Sequence, residues 1–164
     1  MRKAALLIAI SPKPAYVACA PTDSLRYTHV MAYTFINPES LGAPRGYSNG
    51  ILVDAAGKLL FVAGQIGWND QQALVSDAFV EQFDQALANV LTVVSTAGGT
   101  AQDVVRLLIY VTDKNEYKRH LREVGERYRT HMDKHFPAIV LVEVKSLLDD
   151  SAKVEIEAIA VLPA

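Results

Sequence analysis

The chain has 164 residues, long enough for one ordinary domain with a sizeable core. Hydrophobic residues make up 51% of it and charged residues 21%, and the formal net charge of −2 provides no basic field to attract nucleic acid. The single cysteine, Cys19, excludes an internal disulfide, and no cysteine–histidine cluster has structural-zinc spacing. No apolar run reaches the roughly 20 residues that a membrane span needs. We therefore predict a globular protein without a metal, a nucleic-acid partner or a membrane partner.

The first 34 residues differ from the rest of the chain. Two basic residues precede the apolar run 4–10, which prolines at positions 12 and 14 then interrupt. This pattern is similar to a weak secretory signal, but the prolines stand where a cleavable region should continue. Alternatively, translation begins at Met31. We predict that residues 1–34 are a poorly ordered extension without a role in chemistry, and that residues 35–164 form a cytoplasmic domain.

The next segment contains the first predicted strands. Prolines and glycines are dense between residues 37 and 50, which favours an irregular segment. A short strand at 50–53 and a second at 59–66 flank a turn at 54–58, and together they predict a hairpin. At the end of this hairpin, Gly64 is a small residue where another group can approach the backbone closely.

Helices and strands alternate in the remainder of the chain. Apolar residues at three- and four-residue steps predict a helix from Ser76-Asp77 to Gly98-Gly99. A β-branched strand at 104–112 follows, then a second helix at 116–134, and two further strands flank a polar loop at 146–152. The histidines at 131 and 135 are one helical turn apart but lack a carboxylate partner, which favours solvated surface.

The resulting order is β-β-α-β-α-β-β, which predicts an α/β or α+β layer with the helices on one face of the sheet. The other face of the sheet must then be covered. Because the chain has no spare element to cover it, we expect a second subunit there.

Carboxylates inside the last strands need an explanation, because burying an unpaired charge costs several kcal/mol. Alternation in VEIEAIAVL places Glu155 and Glu157 on the face opposite Val154 and Ile156. They line either a solvated edge or a site. If the last two strands form a symmetrical hairpin, Glu143 lies near Glu155, and the two carboxyls would share a proton, as suits a general base.

The segments GYSNG, AGQI and VEIEAIAV resemble the Rid superfamily, the reactive intermediate deaminases of the YjgF type, and the resemblance extends over residues 36–162. It implies a chorismate-mutase-like α+β fold with one mixed sheet and two helices on one face. This fold would assemble as a homotrimer, with ligand sites in clefts between adjacent subunits. It also implies hydrolysis of small enamines and imines, such as 2-aminoacrylate, to a keto acid and ammonia without a cofactor.

The resemblance also assigns residues. Glu155 matches the glutamate that positions the attacking water. Substrate-binding residues would be an aromatic residue near the start of the fold and a strand end that borders the ligand, here Tyr47, Gly64, Gln65 and Ile66. Trp68, just past that strand, either lines the cleft or caps the core.

One position departs from the family pattern. Active deaminases carry an arginine directly after Pro-Ala in the penultimate strand, where this chain has Ile139. An asparagine of the second helix is also missing, with Leu121 near its place. A guanidinium offers a carboxylate two charge-assisted hydrogen bonds and isoleucine offers none. We therefore expect a less polar substrate against Ile139 and inefficient 2-aminoacrylate deamination. Arg106, a cation inside a predicted strand, is expected to pair with a carboxylate as a structural partner; alternatively, Arg106 or Arg45 replaces the missing cation.

Two other functions remain open. A trimeric protein that binds a small ligand without turnover would fit the missing arginine. The endoribonuclease or translation-inhibitor activity suggested by older family names fits less well, because the chain has no basic, aromatic-rich surface.

Overall fold

The computed structural model describes residues 33–38, 40, 46–53 and 57–164. The strands and helices are β1 (Tyr33–Ile36), β2 (Gly50–Val53), β3 (Lys58–Gln65), α1 (Phe79–Thr96), β4 (Val104–Val111), α2 (Lys114–Arg119), α3 (Leu121–Met132), β5 (Ala138–Glu143) and β6 (Val154–Leu162). Strand β1, which the sequence did not predict, begins two residues before the expected domain start. Most of the predicted extension at 1–34 (residues 1–32) and of the predicted turn at 54–58 (residues 54–56) lies outside the described residues.

Four strands form the main sheet in the order β3-β6-β4-β5. Strand β5 runs parallel to β4, and the other neighbours are antiparallel, so the predicted α+β class with a mixed sheet is confirmed. Strands β1 and β2 form a separate two-stranded antiparallel sheet.

Both predicted hairpins are wrong. Strand β2 pairs with β1 instead of β3, and β5 pairs with β4 instead of β6. The helices between β4 and β5 explain the second error, because a helical crossover returns the chain parallel to the strand that it left. Strand β6 then occupies the central position between β3 and β4.

The core lies between one face of the main sheet and the helices. Helix α1 presents the predicted apolar stripe, including Phe79, Phe83, Leu87, Val90 and Val94, all of them buried. Strand β6 faces this stripe with its even-numbered residues, Val154, Ile156, Ala158, Ala160 and Leu162, as the alternation predicted. The predicted second helix is divided at His120 into α2 and α3.

The two C-terminal histidines contradict the expectation of solvated surface. His135 is only 4% exposed, and its Nε2 lies 2.7 Å from the carbonyl oxygen of Val104. The Nε2 of His131 lies 2.8 Å from a carboxylate oxygen of Asp84 on α1. Each ring therefore joins two elements through a polar partner that the sequence pattern did not reveal.

The opposite face of the main sheet is uncovered in a single chain. Leu59 and Phe61 of β3 are 63% and 69% exposed, and Val140 and Val142 of β5 are also exposed. We call this surface the open face. Within the described part of the chain, no helix is long and apolar enough to cross a membrane.

Candidate functional site

Glu155 lies in a groove at the end of β3. The groove measures about 360 Å³, and its lining includes Gly64, Ile66, Trp68, Leu148, Asp149 and Glu155. The Glu155 side chain is half-buried. The structure therefore brings Glu155 together with three of the predicted binding residues.

Gly64 leaves the space that the Glu155 carboxyl group occupies. The β3–β6 register shifts between Val62 and Gln65, which marks a bulge at the end of β3. A Cβ atom built on Gly64 would lie 2.6 Å from Cδ of Glu155 and 2.9 Å from its Cγ, closer than real side chains approach. The close approach expected at Gly64 is thus an approach by Glu155.

Asn89 of α1 holds the backbone that borders this groove. Its side-chain amide donates to the carbonyl oxygens of Ile66 at 3.0 Å and Trp68 at 2.9 Å. Gln85, one turn earlier on α1, donates in turn to the side-chain oxygen of Asn89 at 2.8 Å. The segment from Ile66 to Trp68 is therefore fixed by the helix beneath it.

Gln82 fixes the segment that leads into β6 in a similar way. This fully buried side chain donates to the carbonyl oxygens of Ser76 at 2.9 Å and Ser151 at 3.1 Å, and it accepts from the Lys153 backbone amide at 2.8 Å. Sequence reasoning missed both amides. The available signal was Gln82 itself, a polar residue inside the apolar stripe of α1.

Gln65 does not line the groove. Its side-chain amide donates to the carbonyl oxygens of Ala63 at 3.1 Å and Gly64 at 3.2 Å. The side chain therefore binds the backbone at the end of its own strand, β3.

Ile139 lies in a different place, an apolar cavity of about 370 Å³ between α3 and the main sheet. Its lining includes Phe83, Ile109, Leu121, Phe136, Ile139 and Leu141. We call it the Ile139 cavity.

The loop that carries Tyr47 is attached beside this cavity. The Ser48 hydroxyl donates to the Phe136 carbonyl at 2.8 Å, and the Ser48 amide donates to the Pro137 carbonyl at 3.1 Å. Gly46 lines the cavity, and Tyr47 next to it is 42% exposed. Tyr47 and Ile139 thus belong to the same side of the molecule.

The two groups of predicted site residues are separated in one chain. Ile139 of β5 is the cross-strand partner of Leu107 in β4, and Leu107 is in turn the partner of Ala158 in β6. Ala158 is three residues from Glu155 along β6. Strand spacings put the Cα atoms of Ile139 and Glu155 roughly 14 Å apart. Ile139 faces the helices whereas Glu155 faces the open side, so one chain does not unite them.

Glu143 does not accompany Glu155, so the predicted carboxylate pair is wrong. Its Oε2 lies 2.9 Å from Nζ of Lys114, and its Oε1 accepts the Lys114 backbone amide at 3.0 Å. These hydrogen bonds from Lys114 hold the pKa of Glu143 below its usual range. The reason for the error is topological, because β4 lies between β5 and β6.

Polar residues interrupt the open face beside Glu155. Tyr110 is the cross-strand partner of Glu155. Partial desolvation and the carboxylates of Glu157 and Glu155 raise the pKa of Tyr110. Arg106 shares an open groove with Glu157, but it forms no ion pair with any carboxylate in the described residues. Arg45, the other suggested replacement cation, lies outside the described residues.

No group of three or more described histidine, cysteine, aspartate or glutamate side chains is arranged to hold a metal ion.

Comparisons with known proteins identify the family. Residues 38–162 match the sequence family described as Endoribonuclease L-PSP. A RutC family protein from Aquifex aeolicus is 36% identical over 115 residues, which cover 70% of this chain and 87% of that protein. The human 2-iminobutanoate/2-iminopropanoate deaminase is 32% identical over 121 residues, which cover 73% of this chain and 82% of the enzyme.

Solved structures agree with this assignment. The Rid family protein YyfB from Yersinia pestis, of unknown function, superposes with a TM-score of 0.71 at 32% identity and covers 80% of this chain and all of its own. The Escherichia coli YjgF protein gives 0.55 at 34% identity and covers 78% of this chain and 94% of its own. The chain belongs to the Rid superfamily of YjgF-type proteins.

Proposed function

We propose that this protein is a cofactor-free hydrolase of small imines or enamines, with Glu155 as the residue that orients and deprotonates the attacking water. The observation that carries this proposal is the Glu155 carboxyl group in a groove, lodged against the backbone of Gly64. A carboxylate held at a bulged strand end, where only glycine leaves room for it, has a position fixed by the fold. Relatives named 2-iminobutanoate/2-iminopropanoate deaminase support the reaction class.

The chemistry needs few groups. Glu155 accepts a proton from water as the water oxygen bonds to the carbon of the protonated imine, giving a carbinolamine. The carboxyl group then returns this proton to the nitrogen. The C–N bond breaks and ammonia leaves while the carboxylate accepts the proton of the carbinolamine hydroxyl, the C=O bond forms, and that proton passes to solvent. An enamine first takes a proton on carbon to become the imine. One imine and one water thus give one carbonyl compound and one ammonia.

Ile139 argues against 2-aminoacrylate as an efficient substrate. An isoleucine at this position gives a substrate carboxylate no hydrogen bond, whereas the arginine of active family members gives two. The Ile139 cavity is lined by other apolar side chains and favours a substrate with an apolar part.

The proposed site is completed by a neighbouring subunit in a homotrimer. Glu155 and Ile139 face opposite sides of the sheet, so a cleft that uses both needs two chains. The open face, with exposed Leu59 and Phe61 at its edge strand, is the surface that would be buried.

The test is hydrolysis of imines that an amino-acid oxidase generates in the presence of semicarbazide, which traps unhydrolysed imine. The protein should reduce semicarbazone formation for at least one apolar amino acid, and Glu155→Ala should abolish the effect. No acceleration with any imine, or an equally active Glu155→Ala variant, would reject the hydrolase.

Ile139 also favours a second candidate, a trimeric protein that binds a small ligand without turnover. Micromolar ligand binding without hydrolysis of any imine would support this alternative. The endoribonuclease alternative predicts RNA cleavage by the highly purified protein that is lost in a site variant.

A further inference from the structure

A cation lies at the Ile139 cavity, on a helix rather than on the strand. Arg129 of α3 contributes to the cavity lining, beside apolar residues such as Phe136, Ile139 and Leu141. Arg129 forms no ion pair with a described carboxylate, whereas Arg127 lies 3.7 Å from Asp84. Its charge is therefore available to a ligand.

Gly125 lies beneath the guanidinium of Arg129. It is in the interior of α3, where glycine weakens a helix relative to alanine. A Cβ atom at Gly125 would lie 3.4 Å from Nη1 and 3.9 Å from Nη2 of Arg129, so both nitrogens lie over the helix at this point. Gly125 lines the cavity too, and its missing side chain adds room beside the cation.

The remaining polar groups of the cavity do not compete for this role. The Tyr128 hydroxyl donates to the carbonyl oxygen of His135 at 2.8 Å, and its ring stacks on Phe136 with centroids 5.5 Å apart. Tyr117 is partly buried, and the burial raises the pKa of its hydroxyl, so it stays neutral at physiological pH. An apolar cavity of about 370 Å³ with one unpaired cation suits a ligand with an apolar body and one negative end.

We propose that the Ile139 cavity binds 2-oxo and 2-imino acids with bulky apolar or aromatic side chains, with Arg129 holding the carboxylate. Turnover of the imino acids rests on the proposed function, whereas binding of the 2-oxo acids does not. The apolar body of the ligand packs against Ile139 and Phe136, and its carboxylate meets the guanidinium over Gly125. The position of the cation, moved from the strand to the helix, selects larger acids over 2-aminoacrylate.

The test is calorimetric binding of phenylpyruvate, a stable aromatic 2-oxo acid, to the full-length protein. Arg129→Gln should raise the Kd about tenfold, because one charge-assisted contact is lost. Arg122→Gln is the matched control, because this arginine lies on the same helix with a side chain 80% exposed and, among the described residues, forms ion pairs with Glu123 and Glu126. It should change the Kd less than twofold. Pyruvate and methyl phenylpyruvate, which lack the apolar body and the charge respectively, should both bind at least tenfold more weakly.

Three results would overturn the inference: no phenylpyruvate binding at millimolar concentration, equal effects of the two arginine variants, or equal affinities for pyruvate and phenylpyruvate. Circular dichroism of Arg129→Gln should match the wild type, since the residue is exposed.

Kinetics separates this inference from the proposed function. If the protein hydrolyses imines and Arg129→Gln does not change the KM, the proposed hydrolase function is supported and the proposed role of Arg129 is rejected. Binding of phenylpyruvate that depends on Arg129, without hydrolysis of any imine, supports the ligand class and rejects the hydrolase.

Discussion

Replacing Gly64 by alanine perturbs the proposed site with a single methyl group. That carbon would lie 2.6 Å from Cδ of Glu155, whereas non-bonded carbons prefer about 3.5 to 4.0 Å. The carboxyl group must therefore move by about 1 Å. Glu155 is only half-buried, so its side chain can rotate toward the groove while the fold persists.

The expected effect on the reaction is large, because a 1 Å misplacement of a catalytic group costs about 100-fold. We expect kcat/KM for imine hydrolysis to fall by about that factor in Gly64→Ala, which corresponds to about 2.7 kcal/mol of transition-state stabilisation. The assay is the semicarbazide competition with the best imine substrate, together with a thermal unfolding curve.

Gly50→Ala is the matched control. A Cβ atom at Gly50 would have Ile36 Cβ as its nearest neighbour at 3.6 Å, an ordinary contact. This variant should retain wild-type kcat/KM. A folded Gly64→Ala variant with activity within twofold of wild type would refute the reasoning that Glu155 acts from this position.

Further predictions concern assembly, stability and pH. Phe61→Asp puts a charge on the open face, so the proposed trimer, with three times the 17.9 kDa chain mass, should dissociate in light scattering and lose activity. Tyr128→Phe removes the 2.8 Å hydrogen bond to the His135 carbonyl and should lower the free energy of unfolding in urea by about 1 kcal/mol. Lys114 holds the pKa of Glu143 below its ordinary value of 4.5, so the contribution of this pair is present above that pH and is lost as the pH falls through the lower folded-state pKa. Glu143→Gln should therefore show a shallower acid loss of thermal stability.

Each of these has a contradicting outcome. Val75→Asp, a charge on an exposed apolar loop residue, should leave the mass unchanged, and a monomeric wild type would contradict the trimer. An unchanged unfolding free energy in Tyr128→Phe would show that the hydrogen bond contributes nothing net. Parallel acid-stability curves for Glu143→Gln and wild type would refute the ion-pair assignment.

The spacing of apolar residues in the sequence predicted the helices and strands well where buried residues recur at regular intervals. The apolar stripe of α1 and the alternation of β6 both follow from faces that pack against each other, so their periods appear directly in the sequence. Glu155 follows this alternation as a carboxylate on the less buried face of β6, and the family resemblance distinguished it from Glu157. Gly64 was found as a small residue at a strand end.

Strand pairing was not predictable in the same way. Neighbouring strands in sequence were expected to pair, but β6 is inserted between β3 and β4, and β5 lies at the edge beside β4. Alternation specifies which face of a strand is buried, not which strand lies beside it. The error with Glu143 follows from this, since its position relative to Glu155 depends on pairing alone.

The positioning amides and the cation were hidden for another reason. Gln82 and Asn89 bind backbone carbonyls that are distant in sequence, and Arg129 lines an apolar cavity between α3 and the main sheet. These relations exist only after the helix has packed on the sheet.

The most direct measurement of the central claim compares Glu155→Gln with Glu157→Gln. The two glutamates lie two residues apart on the same face of β6, and each variant removes one charge while keeping the shape of the side chain. The account predicts that kcat/KM for imine hydrolysis falls about 10² to 10⁴-fold in Glu155→Gln and stays within threefold of wild type in Glu157→Gln, with both proteins assembled alike. Equal losses in the two variants, or full activity in Glu155→Gln, would contradict it.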